Sequence, residues 1–148
     1  MRKTVSLTYL ALLTLASLGS GCSKPASPAQ KRIDKVWTAR QVDQNGTTVY
    51  SRGAVASVNP AYMRWKLDLS APPLASYTDV DGSVFIGQYA VPTDNTLTLT
   101  ALAPQPKATD GTMVFTINAL EDNTLTLTNQ VGSGYPNGTT TVYALTNP

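Results

Sequence analysis

Met63-Arg64-Trp65-Lys66-Leu67-Asp68-Leu69 sets apolar and charged residues in strict alternation. Successive side chains of a strand point to opposite faces, so this pattern is that of a half-buried β-strand. It predicts Met63, Trp65, Leu67 and Leu69 on an inner face and Arg64, Lys66 and Asp68 on an outer one. Ala71-Pro72-Pro73 ends the run, because proline has no N–H to give to a ladder. Downstream, Leu74 to Val80 reads as the next strand, and Asp81-Gly82 turns it into Ser83 to Val91. Upstream, Val36, Thr38, Arg40 and Val42 alternate with Trp37, Ala39 and Gln41. Asn45-Gly46 follows, a strong hairpin signal because a type I′ turn needs positive φ at both central residues. Thr47 to Tyr50 is its return strand.

Two further hairpins share a sequence. Asp94-Asn95-Thr96-Leu97-Thr98-Leu99-Thr100 recurs as Asp122-Asn123-Thr124-Leu125-Thr126-Leu127-Thr128. In each copy Asp-Asn makes the turn, leucine fills one face and β-branched threonine suits the other. A last strand, Thr139 to Leu145, follows the glycine-rich loop Gly132 to Gly138. No segment after the N-terminal region shows a helical period. Eight or nine short strands joined by tight turns predict an all-β chain, a small antiparallel up-and-down barrel over 33–148. Closure into a barrel removes the exposed edges such strands would leave. One connection is long, irregular and apolar: Gly53 to Tyr62, with Ala54, Val55, Ala56 and Val58. Asn59-Pro60 interrupts it, so it reads as a loop or one helical turn, and residues so apolar are expected to pack as a lid, either on the open end of the barrel or on a ligand held there.

The first residues have a different character. Arg2 and Lys3 precede an apolar run from Val5 to Leu18, shorter than the roughly 20 residues that span a bilayer. The run ends in Leu18-Gly19-Ser20-Gly21-Cys22, small residues before the sole cysteine. This resembles a bacterial lipoprotein signal, although the leucine stands four residues before Cys22 where three is usual. The resemblance implies a signal peptide over 1–21, cleavage before Cys22, and a lipid anchor of palmitate-type acyl chains on the Cys22 sulfur and new amino group. In such lipoproteins an aspartate at the position of Ser23 marks inner-membrane retention, so Ser23 points to the outer membrane, and the lack of an acidic run after Cys22 favours a domain facing the periplasm over one at the cell surface. Residues 22–32 are expected to form the lipidated cysteine and a flexible linker, given Ser23-Lys24-Pro25-Ala26-Ser27-Pro28-Ala29-Gln30.

Composition excludes several chemistries. The 148 residues contain no histidine and one cysteine. No His/Cys zinc site, Ser-His-Asp triad, Cys-His dyad or internal disulfide can be built from them. The formal charge of +2 includes Arg2 and Lys3. From Ile33 onwards six basic residues face nine acidic ones, so no basic stripe is expected and nucleic acid is not an expected partner. Asp79-Val80-Asp81-Gly82 resembles the start of a calcium loop, but Ala90 stands where the bidentate glutamate would be, so it reads as a hairpin turn. No G-x-S-x-G elbow and no phosphate-binding loop occurs. The chain is expected to be no enzyme, with no catalytic residues, no metal and no cofactor.

The order of features resembles the bacterial lipocalin-like domains of outer-membrane lipoproteins: Cys22, Lys35-Val36-Trp37, Asn45-Gly46, Tyr77-Thr78-Asp79-Val80-Asp81-Gly82, Gly87-Gln88-Tyr89, the paired Leu-Thr-Leu hairpins and Val142-Tyr143-Ala144-Leu145. The resemblance covers 33–148 and implies a barrel with a first-strand tryptophan. Lipocalins usually carry Gly-x-Trp there; here Lys35 takes the glycine's place. The expected site is therefore shallow. Trp37 is expected to plug one end of the barrel. Trp65 and Tyr89, with Val55, Val58 and Tyr62 of the lid, are the candidate contacts for a small apolar or amphipathic ligand. The alternative is a structural or interaction module that binds another envelope protein or a glycan by its surface. A monomer is expected in either case.

Overall fold

The structure is a computed structural model that describes residues 28–129 and 138–148. The expected signal peptide, Cys22 and most of the glycine-rich loop lie outside the described residues. Nine strands follow in order: β1 Val36–Gln44, β2 Thr47–Ser51, β3 Lys66–Ala71, β4 Leu74–Thr78, β5 Val84–Thr93, β6 Thr96–Ala103, β7 Met113–Leu120, β8 Thr124–Asn129 and β9 Thr141–Thr146. All pairings are antiparallel. From β3 to β9 each strand pairs with the next, and β9 returns to β1, which closes a ring of eight with β2 as an extra strand. The all-β barrel read from the sequence is the observed architecture.

Closure differs from a plain up-and-down meander at one edge of β1. Val36–Thr38 pair there with β3, and Gln41–Gln44 pair with β2. The other edge of β1 is taken by β9 from Thr38 to Gln44. A 3-10 helix, Pro60–Arg64, sits where β3 stops short, and its Tyr62 is buried. Asn45 at φ 49° and Gly46 at φ 79° form the β1–β2 turn that the Asn-Gly pair requires. Gly87 marks a shift in the β5–β6 register. A Cβ there would stand 2.4 Å from the Thr100 carbonyl oxygen, so the two backbones approach more closely than any other residue permits.

Alternation carries the core. Leu67 and Leu69 of β3, Leu97 and Leu99 of β6, Leu125 and Leu127 of β8, and Tyr143 and Leu145 of β9 all point inward and are buried. The duplicated hairpin thus delivers the same two leucines to the interior twice.

Two sequence expectations need correction. Met63 does not share the inner face of Leu67; it is 72% exposed. The reason is local winding. Asn59 Oδ1 caps Ala61 N at 3.2 Å and Pro60 starts the 3-10 helix, so the chain is not extended until Trp65. The linker expected over 22–32 also ends earlier than its composition implied. Pro28–Ile33 form a short helix, α1, whose Ala29 and Ile33 are buried against the barrel. Residues four apart share one helical face, and proline is tolerated in a first turn.

Leu67 is fully buried and Lys66, beside it, points outward. Leu67→Ala should cost about 2–5 kcal/mol in urea denaturation. Lys66→Ala should stay within about 0.5 kcal/mol. Equal losses would contradict the β3 register.

Candidate functional site

The two ends of the barrel are built differently. The end that carries the β3–β4, β5–β6 and β7–β8 turns is covered by α1; call it the lower end. Trp37 is buried there and its indole N–H donates to the Ile33 carbonyl at 2.8 Å. The Tyr89 hydroxyl donates to the Asp34 carboxylate just after α1 and lies 3.1 Å from the Leu69 carbonyl. Gln30 donates to the same carboxylate at 3.2 Å. Burial, then the bonded Asp34 carboxylate, pushes the Tyr89 hydroxyl well above the ordinary tyrosine range. Outside, Lys35 Nζ donates to the Asp122 carbonyl, and Arg32 approaches the Asp122 carboxylate at 3.6 Å.

The upper half holds a cluster of aromatic rings. Trp65 stacks on Tyr143 with centroids 4.8 Å apart and meets Tyr77 edge-on at 5.9 Å. Tyr77 stacks on Phe85 at 5.6 Å. Tyr62 and Phe115 each present an edge to Tyr143 at 6.3 Å, and Tyr50 lies 6.3 Å from Tyr62. Offset and edge-to-face contacts at these spacings are the favourable geometries of aromatic quadrupoles. Some polar tips reach the rim: Gln44 Nε2 donates to the Tyr62 hydroxyl at 2.9 Å, and Tyr77 donates to Asp79 Oδ1 at 2.9 Å.

Two polar atoms stand out within this upper half. Trp65 Nε1 and Thr141 Oγ1 are buried and have no hydrogen-bond partner among the described residues. Thr141 lies two residues from Tyr143 on the same inner face of β9. Its neighbour Asn129 is satisfied: Asn129 Oδ1 accepts from Thr141 N, and Nδ2 donates to the Thr139 carbonyl at 3.4 Å. Asn129 and Thr141 are the buried polar residues among those described, so the interior carries no formal charge there.

Of the candidate contacts, the structure brings Trp65 and Tyr62 into one cluster. Tyr89 also points inward, but it belongs to the closure by α1. Val55 and Val58 are not a lid: they are 108% and 81% exposed. The cause is that Gly53–Asn59 folds back on β2 rather than over the interior. Ala54 N donates to Ser51 O at 3.2 Å, and Asn59 N donates to Val49 O at 2.8 Å. Both ends of the loop are pinned to one strand, so its crest points away. Tyr77, Phe85, Phe115, Tyr143 and Thr141 are not among the contacts expected from the sequence. Their inward alternation was visible, but only the strand register shows that they meet.

Asp79 and Asp81 form a turn. Asp79 Oδ1 accepts from Val80 N at 2.7 Å, and Asp81 Oδ1 accepts from Ser83 N at 2.8 Å. The second bond holds the Asp81 carboxyl below its usual range. Among the described residues no three His, Cys, Asp or Glu side chains are grouped to hold a metal ion. Open depressions mark the outer surface; one, of about 310 Å³, lies between α1 and β7 beside Arg32 and Asp94. A second, of about 240 Å³, lies on β3–β5 beside exposed Leu74 and Ile86. Another, of about 290 Å³, lies between β2, Val55, Pro60 and Met63.

No family model matches the chain, and no curated protein matches it. Among solved structures it is similar to a lipocalin-like protein from Bacteroides uniformis ATCC 8492, over 79% of this chain and 99% of that one, with a TM-score of 0.47 and 17% identity.

The Tyr89 contact makes a testable pH dependence. Its raised pKa means the folded state keeps the proton while an unfolded tyrosine loses it near pH 10.0. The stabilisation is fully present below pH 10.0 and is lost as the pH rises above it. Tyr89→Phe should therefore be less stable than the parent in neutral urea melts, and the gap should shrink above pH 10.0. A gap that is constant with pH would contradict the Tyr89–Asp34 bond.

Proposed function

We propose that this protein is a lipid-anchored, non-enzymatic component of the cell envelope whose barrel holds a small, uncharged, ring-bearing molecule in its upper half. The observation that carries the reading is the buried Trp65 N–H without a partner inside a wall of aromatic rings. A buried donor left unpaired costs about 1–3 kcal/mol. Native proteins satisfy such groups with protein, water or ligand atoms. The rings favour a flat apolar partner, and the N–H calls for an acceptor on it. The uncharged surroundings disfavour an ion, because a buried charge needs a counter-charge. The apolar N-terminal run ending at Cys22 supports the anchor.

The neutral naphthyl ketone Prodan supplies a flat ring system and one carbonyl acceptor. Titrated onto residues 28–148, which retain α1, it should bind saturably with a blue-shifted emission. Trp65→Phe keeps a ring for stacking and removes the N–H. It should weaken binding about tenfold, the equivalent of one hydrogen bond of about 1.4 kcal/mol. No saturable binding, or binding indifferent to Trp65→Phe, sinks the interior site. For the anchor, Cys22→Ser should leave an unprocessed precursor or release the protein from the membrane fraction. Processing and fractionation like the parent would show that Cys22 is not lipidated.

A second reading rests on a different observation. Leu74, Val84 and Ile86 form an exposed apolar stripe on the outer face of β4 and β5. A module that binds an envelope protein would present such a stripe. Crosslinking from a thiol placed at Thr78, beside that stripe, distinguishes it from an interior site.

A further inference from the structure

We infer that the side of the barrel formed by residues 52–66 docks on an anionic lipid bilayer. Val55, Val58 and Met63 are 108%, 81% and 72% exposed. Val55 and Met63 border the same depression with Pro60 and Tyr50. The two valines stand on a crest pinned at both ends to β2, by Ala54 N to Ser51 O and by Asn59 N to Val49 O, and Met63 follows on the 3-10 helix. A crest held outward cannot bury its valines within the barrel.

Charge identifies the occupant. Residues 44–67 contain no acidic residue and three basic ones, Arg52, Arg64 and Lys66. Residues 67–148 contain seven acidic residues and one basic one. The cations therefore gather on the same side as the exposed apolar crest. Arg52 is fixed there, its Nη2 donating to Thr38 Oγ1 at 2.8 Å and to the Ala39 carbonyl at 2.6 Å. Arg64 and Lys66 form no salt bridge among the described residues. The nearest acidic groups are Asp68, which shares the outer face of β3 with Lys66, and the Asp79–Asp81 turn beside Arg64; all three lie off the crest that carries Val55 and Val58.

Apolar prongs ringed by Lys and Arg match the boundary of an anionic membrane. The prongs enter the acyl region, and the cations stay with the head groups. A protein partner fits less well. A stable protein interface buries roughly 1,000 Å² or more in total, and three separated side chains supply little of that. Membrane insertion needs no such continuous surface. The inference depends on neither the interior ligand nor the anchor at Cys22.

Because Cys22 is the sole cysteine, a reporter can be placed at the crest alone. The full chain carrying Cys22→Ser and Val55→Cys is labelled with an environment-sensitive nitrobenzoxadiazole fluorophore. It is added to vesicles of phosphatidylcholine, alone or mixed with phosphatidylglycerol. The N-terminal apolar run can bind either vesicle, so the readout is the depth of the label rather than sedimentation. With phosphatidylglycerol present, the emission should shift to the blue, brighten several-fold and become sensitive to a quencher placed in the lipid chains. A label at Thr100→Cys, on exposed β6 across the ring, should stay in water. Arg64→Glu with Lys66→Glu should reverse most of the shift at position 55, with a thermal melt confirming that the barrel is intact. A label at 55 that remains aqueous, that shifts equally in phosphatidylcholine alone, or that ignores the charge reversal overturns the inference.

Discussion

Everything in this barrel hangs on β1, which serves three neighbours. One edge is spent on β9, and that pairing alone converts an open meander into a closed ring. The other edge is divided between β3 and β2. A strand shared in this way cannot seal the wall along its whole length, so something must fill the corner where β3 stops and β2 begins. The 3-10 helix does so, burying Tyr62 and holding its hydroxyl by Gln44. Arg52 then ties the end of β2 to Thr38 and Ala39, across the same corner. The aromatic cluster leans on this arrangement, since Tyr62 and Tyr143 are held on either side of β1.

Closure produces an interior of two tiers. The lower one is largely aliphatic: Leu69, Leu97, Leu125 and Leu145, with Trp37, Tyr89 and α1 beneath them. Leucines fill volume without leaving polar atoms to satisfy. In the upper tier rings replace them, and rings with hydroxyl or N–H tips bring polar handles that can reach the rim. Tyr62 and Tyr77 use theirs. Trp65 has its N–H in the middle of the stack, where no described backbone carbonyl or side chain meets it. A satisfied tyrosine and an unsatisfied tryptophan thus stand in one cluster, which sets the upper tier apart from the aliphatic one.

The strands were legible because period-two alternation is a local signal. It survives in β3, β6, β8 and β9 with the leucines on the expected face. The repeated Asp-Asn-Thr-Leu-Thr-Leu-Thr segments were legible for the same reason. What failed had two causes, one local and one tertiary. Alternation at Met63 was real in sequence, yet Asn59 and Pro60 wound the chain there. The valines at 55 and 58 are apolar, but hydrogen bonds from both flanks to β2 point them outward. Helix α1 is too short to show a period; it exists because Ala29 and Ile33 find the open lower end of a barrel formed by residues far downstream. The candidate site was half legible. Trp65 and Tyr62 could be named, whereas their partner Tyr143 lies some eighty residues away and is supplied only by the closing strand.

Charge ties the lower end to the chain that precedes it. The β7–β8 turn carries Glu121 and Asp122, and the β5–β6 turn carries Asp94. Left bare, these carboxylates would make the lower end acidic on the side from which the N-terminal segment leaves. Helix α1 brings Lys31 and Arg32 in its last turn, and Lys35 follows. Lysines and arginines at a helix C-terminus also face the negative end of its dipole, so they are favoured there twice. Arg32 meets the Asp122 carboxylate and Lys35 its carbonyl. These contacts are exposed and weak one by one. Together they offset the acidic turns. The short helix therefore has two physical tasks, closing the aliphatic tier with Ile33 and setting Lys31 and Arg32 against the acidic turns.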